Sequence, residues 1–490
     1  MSTLSAKALV LALLLSTLSV NMEQVQFDYS MKNIPIPPKQ DYLIQLISSV
    51  EVFVKNIRWR AFHFLNPTQS NEQKETFGFN STKPAPHVAE LKDFENELFD
   101  LTKNIKFKDF NNNFQTKLKK DVKDVEKETK LIIKADKTTN HYKVSHEEYN
   151  ELLQKNITKD YKKAREESFK NTMKAEKETA TKLELEDRIY QTSKKQAFIT
   201  LKDHKPNFTN KPTCRLINPT KTELGKISQQ KVAKIVKVVT EKTKLKLWRS
   251  TNEVITWFKS IDNKDRLSFI QYDVCEYYAS ISENLLNKSL DYASRYVHIS
   301  EDDRKIILQA RKSFLFDKNS PWNKKKNAQF DVGMGCYDGA EICELVGLYM
   351  LSQLQHIKVN LGQYRDDALG VTNMTPRQAE LAKKEICRIF RQNDLSITID
   401  VNHKVVNFLD VTLDLSTQLY KPFMKPNDCP LYINKNSNHP PQVIQNIPAA
   451  VNRRLSSNSA NEEVFNTSVP PYQTARLKSG YKYKLEFPPP

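Results

Sequence analysis

The chain has 490 residues, of which 39% are hydrophobic and 10% aromatic, which fits a folded soluble protein of two or three domains. Its six cysteines form no CxxC pair and no regular spacing, which argues against a zinc site and a disulfide framework and for a reducing compartment. The net charge of +18 indicates an anionic partner.

The positive charge lies almost entirely after residue 100. Residues 1–100 hold nine Lys and Arg against eleven Asp and Glu, so the rest of the chain carries a net charge of +20. Such a basic body suggests nucleic acid, because neutralised phosphates release their counterions. An ordinary solvated basic surface gives the same composition, so charge alone does not decide between them.

The first residues have the form of a secretory signal peptide. Their apolar run from Ala8 to Leu15 is too short to span a bilayer as a helix. If the basic body acts on nucleic acid, secretion makes little sense, so we interpret residues 1–21 as a buried N-terminal helix or as a misassigned start, with Met22 as the alternative first residue.

The first half of the chain is mostly helical in its pattern, with two strand-like interruptions. Residues 41–65 have helical apolar spacing, and Lys/Glu-rich solvated helices are expected from Leu101 to about Ala180. Strand-like residues surround a polar centre in LIIKADKTTNHYKV (131–144), and AFITLKDHKPNFTNKPTCRLINP (197–219) predicts two short strands joined by a basic turn. Helical patterns resume from Lys226 to about Trp257.

The second half alternates strands and helices. LSFIQYDV (267–274) predicts a strand, and a basic helical segment is expected from there to about Lys326. The loop DVGMGCYDGAE opens a predicted helix from Ala340 to about Ile357, which is followed by a hairpin at 361–371 and a helix at 376–392. Two further strands, LSITIDV and KVVNFLDVTLDL, precede a polar, Pro- and Asn-rich tail from about residue 416.

This order of elements predicts an α+β fold around an antiparallel sheet. The first strand ends in Asp273, and the hairpin carries the adjacent pair Asp366 and Asp367. Each could be a turn or capping residue on its own, but neighbouring strand ends would bring the three carboxylates together. Carboxylates that converge at one sheet edge repel each other unless cations neutralise them, and Mg²⁺ prefers such hard oxygen ligands.

Several stretches resemble one family of polymerases. QYDVCEYYASI resembles motif A of the polymerase palm, and YRDD resembles motif C of reverse transcriptases, in the matching order and separation. Four other segments resemble segments of Penelope-like elements. LIIKADKTTNHY resembles their "ADKG" segment, and LKDHKPNF…CRLINP resembles their "PKIHK…RPI" block. GMGCYDGAE is similar to their "MGS" motif, and VVNFLDVTLDL to their "FLD" segment. The tail KPFMKPNDCPLYINKNSNHP is similar to their thumb region, so the resemblance covers roughly residues 130–480.

The resemblance implies a right-hand polymerase preceded by a largely helical N-terminal region. The implied parts are the apolar leader (1–21), the mostly helical region (22–129), the fingers (130–265), the palm (266–415) and the thumb (416–490). Penelope-like proteins usually carry a GIY-YIG nuclease beyond the thumb. None precedes Pro490, so we expect either a truncated chain or a relative without that domain.

The resemblance also assigns metal ligands. Asp273 and Asp366 would bind two Mg²⁺ ions, with Mn²⁺ as a substitute, and the backbone carbonyl of Val274 would complete one coordination shell. Asp367 would be a more peripheral member of the catalytic group. Two such ions stabilise the attacking and leaving oxygens of a phosphoryl transfer.

Nucleotide-binding roles fall on three further residues. Tyr278, five residues after Asp273, would lie beneath the incoming sugar, where an aromatic ring excludes a 2′-hydroxyl. A core tyrosine is the alternative for this position. Lys202 and Arg215 match the fingers cations that clamp a triphosphate, Arg by its planar fork. Lys205 is a weaker candidate for the same role.

A last group would contact template and primer: Gly333, Gly335, Gly339, Tyr364 and Arg365. The glycines would let the main chain approach the template base pair, and Tyr364 and Arg365 distinguish reverse transcriptases from other polymerases. Nearby Asp338, Glu341 and Glu344 have no explanation in the sequence.

The function implied is an RNA-directed DNA polymerase of a retrotransposable element, acting on an RNA template, a DNA primer and dNTPs in the nucleus or cytoplasm, with no membrane partner. A decayed or co-opted element that only binds nucleic acid is one alternative, which the three intact carboxylates disfavour. An RNA-templated RNA polymerase is another, which Tyr278 disfavours.

Overall fold

The computed structural model describes residues 23–25, 32–66, 84–108, 112–183, 195–205, 207–208, 210–219, 223–326, 329–425 and 428–487. The predicted leader, residues 1–21, lies outside these ranges. Within them, no helix combines the length and apolar character needed to cross a membrane. All six cysteines are described and each is a free thiol.

The chain combines helices with mostly antiparallel strands, as the α+β prediction requires. The described helices of four residues or more are α1 (Lys39–Leu65), α2 (Lys92–Lys103), α3 (Asn113–Glu126), α4 (His146–Asp160), α5 (Glu166–Lys182), α6 (Glu223–Thr243), α7 (Thr251–Lys259), α8 (Tyr277–Ser280), α9 (Glu283–Ser294), α10 (Glu301–Gln309), α11 (Gly339–Gln353), α12 (Pro376–Gln392), α13 (Pro441–Ser457) and α14 (Glu462–Lys478).

The described strands form one sheet of five strands and four smaller sheets. They are β1 (Glu23–Val25), β2 (Leu131–Lys134), β3 (His141–Val144), β4 (Tyr161–Lys163), β5 (Phe198–Leu201), β6 (Cys214–Ile217), β7 (Lys246–Leu247), β8 (Ser268–Val274), β9 (Leu315–Asp317), β10 (Ser320–Lys324), β11 (Asn360–Tyr364), β12 (Asp367–Thr372), β13 (Ile397–His403), β14 (Val405–Phe408), β15 (Val411–Asp414) and β16 (Tyr420–Pro422).

The five-stranded sheet has the order β13-β8-β12-β11-β7, antiparallel except for the β7–β11 pair. Its strands alternate their side chains between two faces. Ile270 and Tyr272 of β8 point into a core formed with α6, α9, α11 and α12. Phe269 of the same strand points into a second core with α7 and the β14–β15 hairpin. Apolar burial on both faces therefore fixes the register of β8, since a shift by one residue would exchange the two faces.

Helix α12 has clear signals at its N-terminal end, which explain why its predicted start was correct. Thr375 and Gln378 form a capping box, in which each side chain accepts a hydrogen bond from the other's backbone N–H. Pro376 occupies the first helical position, where its missing N–H leaves no intrahelical bond unmade. The helix then spans 376–392, as predicted.

Two predictions for the second half were wrong in part. The basic helical segment expected up to Lys326 contains the β9–β10 hairpin, because Lys318 and Asn319 both adopt positive φ and close a tight turn. The single strand expected at 404–415 is a second hairpin, β14–β15, which turns at Leu409, also with positive φ.

Candidate active site

The predicted carboxylates meet at one edge of the five-stranded sheet. Asp273, near the end of β8, is the direct cross-strand partner of Asp367, the first residue of β12. Asp366 lies in the turn just before β12, and its carbonyl accepts a 2.9 Å hydrogen bond from the Val274 N–H. Although 93 positions separate Asp273 from Asp366 in the sequence, strand pairing makes the three acids neighbours.

The hairpin turn that carries Asp366 is supported from behind. Arg365 has a φ of 53°, which allows the tight reversal between β11 and β12. The side-chain amide of buried Gln363 donates a 2.6 Å hydrogen bond to the Arg365 carbonyl, and its oxygen lies 3.4 Å from the Tyr272 hydroxyl. These contacts fix the turn, and with it the position of Asp366.

The carboxylates perturb one another's protonation. Burial, followed by the charges of Asp366 and Asp273, raises the pKa of Asp367 to about 7. Burial and the charge of Asp366 also raise the pKa of Asp273, which is within hydrogen-bonding reach of Asp367. Without a cation, this edge therefore tends to hold a proton at pH values where an ordinary aspartate is fully ionised.

The donor set fits Mg²⁺ when phosphates are also present. In the described part of the chain, no three His, Cys, Asp or Glu side chains are arranged to hold a metal ion by themselves. Mg²⁺, however, commonly takes one or two carboxylates, with substrate phosphates and water supplying the other ligands. Asp273, Val274 and Asp366 line a common cavity, where such a shared shell could form.

That cavity, of about 250 Å³, brings together most of the predicted nucleotide-binding residues. It lies between the sheet edge and the β5–β6 hairpin, which faces it with a row of cations. The predicted residues that line it are Lys202, Arg215, Asp273, Val274, Tyr278, Gly333 and Asp366, together with the weaker candidate Lys205. A cationic wall opposite a carboxylate edge suits a triphosphate whose far end meets the cations.

The cationic wall is held in place by the ADK segment. Asp136 forms an ion pair with Arg215, in which Oδ1 lies 3.0 Å from Nη1, and the Asp136 side chain is only 8% exposed. Burial, followed by the charge of Arg215, lowers the pKa of Lys202. Asp203, beside Lys202, accepts hydrogen bonds from Thr138 at 2.6 Å, and from Asn140 and Tyr142. Two carboxylates thus join the loop after β2 to the β5–β6 hairpin.

Tyr278 lies in the cavity wall with its ring against the glycine-rich loop. A Cβ atom placed on Gly339 would lie 3.4 Å from the Tyr278 ring, so glycine allows this close contact. The neighbouring Tyr277 points the other way, is fully buried, and donates a 2.9 Å hydrogen bond to the Cys343 carbonyl. Both tyrosines are among the residues that line the cavity, but the Tyr277 side chain is fully buried with its hydroxyl bonded, whereas Tyr278 is only partly buried.

The predicted template-primer residues do not all share one cavity. Gly333 lines the 250 Å³ cavity, and Tyr364 lines an adjoining one together with Asp367. Gly335 has a φ of 116° and approaches Asn218, whose carbonyl would lie 2.6 Å from an added Cβ. Exposed Arg365 places its guanidinium over the Tyr364 ring, 5.4 Å from the centroid.

The adjoining cavity, of about 720 Å³, contains cations that the sequence interpretation missed. Lys137 and Lys425 line it close to Asp367 and to each other, and both oppose the rise in the Asp367 pKa. Arg453 and Arg454 line its other side from α13. The resemblance of residues 131–142 to the "ADKG" segment assigned no binding role to Lys137, and no pattern in the tail singled out Lys425.

The unexplained acids after Gly333 have structural partners. Asp338 is completely buried, pairs with the equally buried Arg311, and accepts a 2.6 Å hydrogen bond from Ser228. Glu341 accepts a hydrogen bond from Gln229 at 2.9 Å. These contacts join α11 to α6 and to the end of α10, so at least these two acids anchor the glycine-rich loop.

Comparisons with known proteins give only distant similarity. No protein-family model matches the chain, and no curated protein does. Among solved structures, telomerase from Candida albicans with a TWJ fragment of telomeric RNA is 11% identical over 92% of this chain and 87% of its own, with a TM-score of 0.48. Apo telomerase from Candida tropicalis is 12% identical over 91% of this chain and 86% of its own, with a TM-score of 0.47.

A third solved structure is the RNA-dependent RNA polymerase of bacteriophage phi12. It is 11% identical over 63% of this chain and 56% of its own, with a TM-score of 0.37. Because all three TM-scores are below 0.5, these similarities carry no conclusion about the function of this chain.

Proposed function

We propose that the chain is an RNA-directed DNA polymerase of Penelope-like retroelement type, which extends a primer 3′-hydroxyl with dNTPs on an RNA template. One observation carries the proposal. A single cavity is lined by the carboxylates of two adjacent strand ends, by the cations Lys202 and Arg215, and by Tyr278, the tyrosine that we expect beneath the sugar. In this proposal the α+β fold consists of fingers, palm and thumb, and the strands that carry Asp273 and Asp366 belong to the palm.

We propose for each group the role that the resemblance implies, and the position of each group supports it. Asp273, Asp366 and the Val274 carbonyl would hold two Mg²⁺ ions, or Mn²⁺ in their place, which when bound stabilise the attacking and leaving oxygens of the transfer. Arg215 and Lys202 would bind the triphosphate from the opposite wall, Arg through its planar fork.

Two further contacts orient the substrates. The Tyr278 ring would lie under the sugar and exclude a 2′-hydroxyl. The primer backbone would lie in the adjoining 720 Å³ cavity, where Arg453 and Arg454 can neutralise its phosphates. The primer 3′ end would then meet the nucleotide at the carboxylate edge that the two cavities share.

Primer extension on an RNA template tests the proposal. The wild-type protein should add dNTPs in the presence of Mg²⁺, and Asp366→Ala should lower the rate by roughly a thousandfold or more, as for other groups that stabilise charge in phosphoryl transfer. Asp400→Ala is the matched control, because Asp400 is an exposed carboxylate on the neighbouring strand β13. Its activity should equal that of the wild type.

The alternatives give different results in the same assay. A folded wild-type protein that binds template-primer and Mg²⁺ but adds no nucleotide would contradict the proposal and favour a binding protein. Incorporation of rNTPs in preference to dNTPs would instead favour an RNA-templated RNA polymerase.

A further inference from the structure

Tyr278 stands on the one-turn helix α8, which has little stability of its own because so short a helix forms few internal hydrogen bonds. Contacts from outside must therefore hold its ring at the cavity. On one side, the Tyr277 hydroxyl bonds to the Cys343 carbonyl of α11. On the other side, the carbonyl of Ala279, the residue after Tyr278, accepts a 2.6 Å hydrogen bond from the Lys324 ammonium group.

Lys324 is an unusual lysine in this basic chain because its side chain is only 6% exposed. It ends strand β10, and its neighbours Lys325 and Lys326 are both exposed. Its ammonium nitrogen lies 3.0 Å from an oxygen of Asp331, whose side chain is 3% exposed. A buried ion pair is weak evidence for stability, since apolar residues of similar volume often stabilise as well.

Asp331 in turn connects this pair to the cavity wall. Its second oxygen accepts a 2.6 Å hydrogen bond from the Tyr161 hydroxyl, and its N–H donates to the Arg311 carbonyl at 2.9 Å. Asp331 begins the glycine-rich loop, and Asp331, Lys324 and Tyr161 all line the 250 Å³ cavity with Tyr278. The ammonium group of Lys324 thus ties the loop on one side of the cavity to the helix that carries Tyr278.

We propose that Lys324 is a positioning residue for sugar selection: paired with Asp331, it holds α8 so that the Tyr278 ring blocks the space of a 2′-hydroxyl. The inference rests on the proposed polymerase function and deepens it. The pair does not touch the triphosphate end of the cavity, where the cations of the β5–β6 hairpin lie. Its loss should therefore change which sugar is accepted more than how fast a dNTP is used.

The test replaces Lys324 by methionine, which keeps the length of the side chain and removes the hydrogen bond and the charge. The ratio of kcat/KM for a dNTP to that for the matching rNTP is measured with the same RNA template and DNA primer. We expect Lys324→Met to lower this ratio about tenfold, because one hydrogen bond to a charged group is worth about that much. Most of the change should be a lower KM for the rNTP.

Two further variants separate positioning from loss of structure. Lys326→Met removes an exposed lysine two positions away and should leave the ratio unchanged. The double variant Lys324→Met/Asp331→Asn removes the carboxylate that the single variant leaves buried without its cation. It should regain thermal stability relative to Lys324→Met while the selectivity ratio stays low, because the hydrogen bond to Ala279 is still missing.

Each outcome decides the matter. A ratio in Lys324→Met equal to that of the wild type overturns the positioning role while leaving the polymerase intact. Recovery of the ratio together with the stability in the double variant also overturns it, because the defect would then come from the unpaired carboxylate. A wild-type protein that incorporates neither nucleotide contradicts the polymerase itself, and with it this inference.

Discussion

The carboxylate edge should make the metal-free protein less stable as the pH rises. Asp367 faces Asp273 across the strands and has Asp366 beside it, which together with burial raises the pKa of Asp367 to about 7. In the unfolded chain its pKa returns to the ordinary value near 3.8. The folded protein therefore binds the proton more tightly than the unfolded chain does, and folding is favoured where that proton is bound.

The sign and size follow from proton linkage. Between pH 4 and pH 7 the folded state holds more protons than the unfolded state, so the free energy of unfolding decreases as the pH rises. At about 1.4 kcal/mol per pH unit, the loss reaches up to about 4 kcal/mol in total and is complete above pH 7. Roughly 2 to 3 kcal/mol of it should fall between pH 5 and pH 7.

Denaturant unfolding in EDTA, from pH 5 to pH 8, measures this effect in the wild type and in Asp367→Asn. Burial lowers the pKa of His141 and His204, so these two residues make the free energy of unfolding increase as the pH rises, opposite to the effect of Asp367. Both proteins contain them, so the difference between the two curves isolates Asp367. At pH 5 the free energy of unfolding of the variant should be equal to or lower than that of the wild type. Between pH 5 and pH 7 it should rise relative to the wild type by about 2 kcal/mol.

Mg²⁺ added together with a dNTP, whose phosphates complete the ligand shell of the ion, supplies a second arm of the same experiment. A cation that binds the folded state raises its stability by mass action, and the proton on Asp367 competes with it. Stabilisation by Mg²⁺ should therefore be larger at pH 7.5 than at pH 5.5 and smaller in the variant. Parallel pH curves for the two proteins in EDTA would refute the reasoning, since they would show that Asp367 titrates alike in the folded and unfolded states.

Three other substitutions test contacts around the site. Asp136→Asn should raise the KM for dNTP about tenfold in steady-state kinetics without lowering the thermal midpoint, because Arg215 loses the charged partner that orients it; an unchanged KM would exclude that role. Arg311→Met should destabilise by roughly 3–5 kcal/mol in denaturant unfolding, because Asp338 is left buried and unpaired, and adding Asp338→Asn should restore most of the loss. Gly362→Ala should lower the free energy of unfolding by about 1–3 kcal/mol, because its Cβ would lie 2.4 Å from the Trp248 ring. An unchanged free energy of unfolding would mean that the ring moves aside.

The features that the sequence predicted well are those with local signals. Strand β8 and the hairpin around Asp366 are apolar runs that end in polar residues. Such a pattern can be recognised from the local sequence alone. Helix α12 begins at a capping box and a proline. The meeting of Asp273 with the hairpin acids needed one further step, the pairing of β8 with β12, which we inferred from the strand ends and which the family resemblance supported.

The features that were missed depend on contacts between distant segments. Lys137 and Lys425 are ordinary lysines until the chain brings them to the carboxylate edge. The buried Lys324 is followed by two exposed lysines, Lys325 and Lys326, in a stretch where the pattern predicted a basic helical segment. Charge counts cannot separate such residues, because burial and partner, not residue type, decide what a lysine does.

The support behind the catalytic hairpin shows why one polar residue belongs in an otherwise apolar strand. Repulsion among the acids favours any movement of the turn that takes Asp366 away. Gln363 opposes this by donating to the Arg365 carbonyl, with its amide oxygen near the Tyr272 hydroxyl. Gly347 leaves the room that the amide needs, since a Cβ there would lie 3.2 Å from its nitrogen. A leucine could fill this space but could not hold the carbonyl, so the amide is what keeps the repelling carboxylate at the cavity.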